Sequence, residues 1–293
     1  MSGKFNYTLG FNKILKMILF APINLNIFEE YLYKMKDKFV SYRCVKRIGF
    51  ITMMRAEKRN ALNPQLISEL KSAFDKAEKD KHCKVIVLEA EGEAFCAGAD
   101  LKYLQSLQSF SHEENIADSK HLMELFKQIY TLEKVVIAKV QGHAVAGGCG
   151  LASVCDFSIA AQEAKFGYSE VKIGFIPAIV SVFLLRKIGE GKTKELLFTG
   201  KIISATEAQS MGVINQVAEK DKLDDAVLKL ANQLCEQTSA ESLSYTKLML
   251  VNIQNMSLED GLDYAVEENA KARKNNDCKK GIASFLDKEK LNW

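Results

Sequence analysis

Between Arg43 and Ala161 the chain switches between two hydrophobic periods. RIGFITMM (47–54) and KVIVLEAEG (84–92) are apolar runs rich in β-formers and read as strands. Between them, PQLISELKSAFDKAEKD (64–80) carries apolar residues at 66, 67, 70, 73, 74 and 77, one face of a helix. Pro64 suits the first turn of that helix, with Asn63 as its N-cap. A helix around 113–131 follows, then a strand VVIAKV (135–140) and a glycine-rich turn. A short helix runs into Cys155 and a strand FSIAA (157–161) closes the series. Strands alternating with helices predict an α/β core. After about residue 178 the strand signals fade. The segments 192–199, 204–211, 221–236, 238–253, 257–273 and 277–288 all read as helices, so a helical tail is expected.

Composition narrows the partners. The chain is 47% hydrophobic and 26% charged, as in an ordinary folded protein rather than a disordered one. The net charge is +3, and residues 1–42 hold a Lys surplus that accounts for it, so the body is near neutral. A nucleic-acid footprint needs a clustered basic surface, and none is expected. Seven scattered Cys form no C-x-x-C pair, which predicts buried free thiols in a reducing cytoplasm and no zinc site. The apolar run FNKILKMILFAPINLNIF (11–28) is broken by Lys13 and Lys16 and is too short to span a bilayer. It lacks a convincing A-x-A cleavage site, and no Arg precedes Arg43, against a secretory or mitochondrial address. Residues 1–38 are expected to be an extension outside the main fold, with Met35 a candidate start; a helix packed on the body is the other reading.

Nucleotide motifs fail on inspection. GEGKT (189–193) would need Gly at 186 to complete a phosphate loop, and Arg186 stands there. Gly148 to Ser153 lacks the third Gly of a dinucleotide fingerprint. Two small-residue turns remain, AFCAGADLKYL (94–104) and HAVAGGCGLA (143–152), each following a strand and entering a helix. Such turns expose backbone N–H groups at a positive helix end, and two converging on one carbonyl would form an oxyanion hole. Tight helix–strand packing explains the same glycines. In AKFGYSEVKIGFIPA (164–178), Glu170 stands among apolar and small residues, where a carboxylate can gain a raised pKa and act as acid or base. A solvated Glu, or one paired with Lys172, is the alternative.

Together these segments resemble the enoyl-CoA hydratase/isomerase (crotonase) family. RAEKRNALN (55–63), AFCAGADLK (94–102), GHAVAGGCGLASVCD (142–156), FGYSEVKIGFIP (166–177), FTGKIISATEAQSMGVINQV (198–217) and GIASFLDKEK (281–290) fall in family order and spacing, over roughly residues 39–293. The resemblance implies a spiral of β-β-α turns over 39–200 and a C-terminal helical oligomerisation region over 201–293, giving trimers or hexamers. It implies an acyl-CoA thioester substrate, with no metal and no redox cofactor. By the same resemblance Ala99 and Gly147 would supply the oxyanion N–H groups and Glu170 the catalytic carboxylate. The CoA moiety would lie along Lys58, Arg59 and Ala61, along Ala97, Gly98, Ala99, Asp100, Leu101 and Lys102, and by Gly148. Phe285 and Lys288 match positions that close the CoA site.

One departure matters chemically. Two-glutamate hydratases carry a second Glu where this chain has Gly150. AIVSVFLLRKIG (178–189) also replaces the family's GAGGTQRL-like run, and with SEVKIG it is similar to bacterial 3-methylglutaconyl-CoA hydratases. Syn hydration removes a proton from water and delivers one to C2, which one carboxylate can do in turn. The expected activity is therefore hydration of a 2-enoyl-CoA. A Δ3,Δ2-enoyl-CoA isomerase using Glu170, and a silent acyl-CoA-binding member, are the alternatives. Cys149, Tyr168 and Ser169 are candidate water holders, and His143 is read as structural.

Overall fold

The fold is built from turns that each give one strand to a large sheet and the next to a small one. The structure is a computed structural model that describes residues 38–291 and 293. The expected extension over 1–38 therefore lies, but for Lys38, outside the described residues. The large sheet has the order β1 (Val40–Val45), β2 (Ile48–Met53), β3 (Val85–Ala90), β5 (Val135–Val140), β7 (Phe157–Ala161) and β10 (Gln216–Ala218). The small sheet has the order β4 (Ala94–Cys96), β6 (His143–Val145), β8 (Lys165–Gly167) and β9 (Ile202–Ser204). Apart from the antiparallel pairs β1–β2 and β8–β9, neighbouring strands run parallel. The β3/β4, β5/β6 and β7/β8 pairs are thus successive turns of a spiral, as expected.

Helices cover the large sheet on both faces, which is why its central strands are apolar but for the paired Glu89 and Lys139. On β3, Ile86 and Leu88 enter one core while Val85 and Val87 enter the other. On β5, Val136, Ala138 and Val140 alternate in the same way with Val135 and Ile137. The first core takes α1 (Pro64–Lys79) through Leu66, Ile67, Leu70 and Phe74. The Asn63 side chain caps α1 by accepting from Leu66 N–H at 2.8 Å. The second core is closed by α7 (Leu223–Gln237), through Leu223, Val227, Ala231 and Leu234.

The remaining helices are α2 (Leu101–Ser106), α3 (His112–Thr131), α4 (Gly147–Val154), α5 (Ala178–Thr199), α6 (Ala205–Met211), α8 (Ala240–Ile253), α9 (Leu258–Ala272) and α10 (Asn276–Leu286). Two expectations change. The helix foreseen at 192–199 begins at Ala178, because Val180 and Leu184 are buried on a helical face; the element bends at Gly189 (φ 75°). The region past 201 is not wholly helical, since β9 and β10 return to the two sheets. These strands have three residues each, too few for an alternating pattern to show.

Lys247 fastens the helical region to the spiral. Its ammonium, on α8, donates to Asp156 Oδ2 at 2.7 Å, Lys134 O at 3.1 Å and Ile129 O at 3.2 Å. Asp156 also accepts from Val136 N–H on β5 at 2.7 Å. Lys247→Met should lower unfolding stability by about 2–3 kcal/mol, the cost of leaving a largely buried carboxylate without its cation. The midpoint of urea denaturation checks this, with Lys247→Arg as the charge-retaining comparison.

Candidate active site

The strands of the small sheet bring the two small-residue turns side by side. β4 pairs with β6 and β6 with β8, so the loops leaving all three emerge at the same edge. The first turn is anchored from below by residues 55–62. Leu62 N–H donates to Gly98 O at 2.7 Å, and Asp100 N–H donates to Leu62 O at 2.9 Å. Leu62 thus pairs with Ala99 as a parallel bridge. In that pattern the N–H of Ala99, between the two bonds, points away from Leu62.

The second turn is set by strain. Ala146 adopts φ 51° and ψ −127°, a conformation that L-residues rarely hold. Its own N–H is tied to Gly167 O on β8 at 2.7 Å. Gly147 then begins α4, so its N–H has no intrahelical acceptor and lies at the positive end of the helix. Gly98 makes the approach of the two turns possible. With φ 87°, a Cβ on it would lie 2.9 Å from Ala146 Cβ, 3.0 Å from Val145 O and 3.6 Å from Gly147 N. The backbone at Gly98 therefore passes close against that at Val145–Gly147. Gly148 lies just behind, against Cys96.

Glu170 stands three residues after Gly167, in a 3₁₀ turn over Glu170–Ile173. Its Oε2 is buried and has no hydrogen-bond partner among the described residues. Burial raises its pKa above the ordinary carboxylate value, opposed by its own backbone N–H. No cation of the described residues pairs with it, so the pairing with Lys172 weighed from sequence is not formed. Tyr168 is fully buried, and its hydroxyl meets Ser153 Oγ at 3.1 Å, so it is not a water holder. Cys149 is equally enclosed, and burial pushes its thiol up to about 12.

Gly150 answers the question of the second carboxylate. A Cβ there would fall 2.2 Å from Val180 Cγ1 and 2.9 Å from Phe126 Cε1. The volume a second Glu would need is filled by two apolar side chains, from α5 and α3.

The expected CoA-binding residues divide into two groups. Lys58 and Arg59 are exposed on the turn that underlies Gly98, with Arg59 O accepting from Ala97 N–H at 3.0 Å. Ala61, Leu101 and Lys102 belong to the same ledge. Asp100 is structural in this arrangement: it caps α2 by accepting from Lys102 N–H at 3.0 Å and pairs with Arg55 at 2.8 Å. Burial pushes its carboxyl up, but Arg55 and the two amide donors outweigh that and hold it below the usual range. Phe285 and Lys288 are not brought to this edge by the hydrogen bonds of the described residues. They are exposed at the end of α10, whose Asp277 accepts from Ser239 Oγ at the start of α8. Sequence reasoning missed Arg55, which also donates to Ala61 O at 2.8 Å and so locks the ledge to the α2 turn. An Arg set directly after the apolar run 48–54, at the head of a polar turn, was the available signal.

Residues 44–293 match the family model for enoyl-CoA hydratase/isomerase. The chain belongs to that family. A Thermus thermophilus protein named "Putative enoyl-CoA hydratase" is 42% identical over 82% of this chain and 95% of its own. The crotonyl-CoA hydratase of Syntrophomonas wolfei is 32% identical over 85% of this chain and 95% of its own. Among solved structures, an enoyl-CoA hydratase of Mycobacterium smegmatis superposes with TM-score 0.83 at 27% identity, over 88% of this chain and 99% of that one. These relatives confirm the crotonase fold and the mixed α/β architecture with its C-terminal helices. Among the described residues no helix is long and apolar enough to cross a membrane, and no group of three His, Cys, Asp or Glu is placed to hold a metal ion.

The raised pKa of Glu170 has a stability consequence. The folded state favours its protonated form, so stability falls as pH rises from the unfolded value near 4.5 through the folded value. Glu170→Gln removes that penalty. The variant should be more stable than the parent at neutral pH, with the difference closing at or below pH 4.5. Urea midpoints measured across pH 4–8 read this directly.

Proposed function

We propose that the protein hydrates the C2–C3 double bond of a 2-enoyl-CoA thioester. The observation that carries the reading is the Glu170 carboxylate oxygen Oε2, buried without a hydrogen-bond partner among the described residues, on the loop that follows β8 at the edge where the Ala99 and Gly147 turns emerge. The thioester oxygen lies between the Ala99 and Gly147 N–H groups. Glu170 takes a proton from water as its oxygen bonds to C3. The π electrons move onto the thioester oxygen as an enolate, and the amides hold that charge. Collapse of the enolate draws the proton from Glu170 to C2, and the carboxylate is restored. Lys58, Arg59 and Lys102 suit the CoA phosphates. The relatives' names support hydration.

A second reading has its own observation. The apolar filling around Gly150 leaves one carboxylate, which is sufficient for moving a proton between C2 and C4 of a 3-enoyl-CoA. We also read the assembly as a trimer or a pair of trimers, supported by Leu258, Leu262 and Val266, exposed at fourfold spacing on α9.

Crotonyl-CoA and a 3-enoyl-CoA offered in parallel decide between the two. Loss of the conjugated absorbance with the first supports hydration; its gain with the second, without activity on the first, overturns it in favour of isomerisation. Binding without turnover of either would leave a silent acyl-CoA-binding protein. Glu170→Gln should reduce turnover by about 10²–10⁴-fold while CoA-ester binding survives, the range for loss of a general acid–base group.

A further inference from the structure

A charged side chain that the proposed chemistry does not use sits at the opposite end of α4 from the oxyanion amide. Lys187, on α5, extends its ammonium to the C-terminus of α4. It donates to Ser153 O at 2.7 Å and to Cys155 O at 3.2 Å. These are among the carbonyls that carry the negative pole of the helix. The only carboxylate next in the chain, Asp156, is occupied by Lys247 at 2.7 Å. Among the described residues no carboxylate forms an ion pair with Lys187. Burial lowers the pKa of Lys187 from the ordinary lysine value, so keeping a charge there opposes desolvation.

We propose that Lys187 is a positioning residue for the oxyanion hole: its ammonium cancels the negative pole of α4, leaving the positive pole at Gly147 N–H unopposed and the helix fixed against the gap. The helix has eight residues, about 12 Å in length, so its two ends are felt together at the thioester oxygen. In so short a helix the negative pole takes back part of the field that the first amide provides. A cation held on that pole removes the subtraction. The effect is larger on the enolate than on the ground-state thioester, because the oxygen gains charge between them.

The inference rests on the oxyanion reading of Ala99 and Gly147, whichever reaction follows, and the experiment separates the two. Butyryl-CoA labelled with ¹³C at the thioester carbonyl binds without turning over, and isotope-edited infrared spectroscopy reads the polarisation of that carbonyl. The parent should shift the band to lower frequency than in free butyryl-CoA. Lys187→Met should lose part of that shift and lower kcat by about tenfold, within the range for a partly buried charge at a helix end. KM should stay within about twofold. Lys187→Arg should recover both readouts. If Lys187→Met does not fold, Lys187→Gln, which keeps a donor without the charge, carries the same comparison. A Lys187→Met or Lys187→Gln band as far shifted as the parent's overturns the role of Lys187 and leaves the hole standing. An unshifted band in the parent overturns the hole and this inference together.

Discussion

The site depends on how closely two backbones can approach. The turn at Gly98 and the turn at Ala146–Gly147 come from different strands, and only hydrogen atoms separate them at Gly98. Every element around them serves that contact. The β4–β6–β8 ladder delivers the loops to one edge, Leu62 and Arg55 hold the first turn from below, and the Gly167 carbonyl fixes Ala146 from the side. Main-chain amides have no rotamers to lose, so the placement of the Ala99 and Gly147 N–H groups is as accurate as the sheet that carries them.

The same region gathers the costs that the rest of the fold must offset. Ala146 is held in a sparsely populated conformation, and one Glu170 oxygen is buried without a partner. The large sheet, with aliphatic cores on both faces, supplies the rigidity that keeps these features in place.

Much of this was legible in the sequence because it rests on local chemistry. The face of α1, its Asn63 cap and the doubly buried strands β3 and β5 follow from period and propensity. The family itself became legible once three separately ambiguous segments were considered together. Three things were not legible. Strands of three residues have no readable period, so the small sheet that assembles the site was invisible. The first part of α5, Ala178 to Ile188, went unassigned as a helix because its apolar residues fall on buried and exposed sides alike, with Val182 and Leu185 exposed. The use of the Asp100 carboxylate, which pairs with Arg55 and caps α2, is a partnership that only the folded chain reveals.

The crowding at Gly150 has a consequence for how this chain can change. Val180 and Phe126 occupy the space that any side chain at 150 would enter, and they come from separate helices. A glutamate introduced there alone meets both. Shrinking either neighbour first leaves a void beside α4. The three positions are therefore coupled, and substitutions at them do not add. The packing at 126, 150 and 180 thus opposes any single substitution that would place a side chain at 150, whatever chemistry such a side chain could bring.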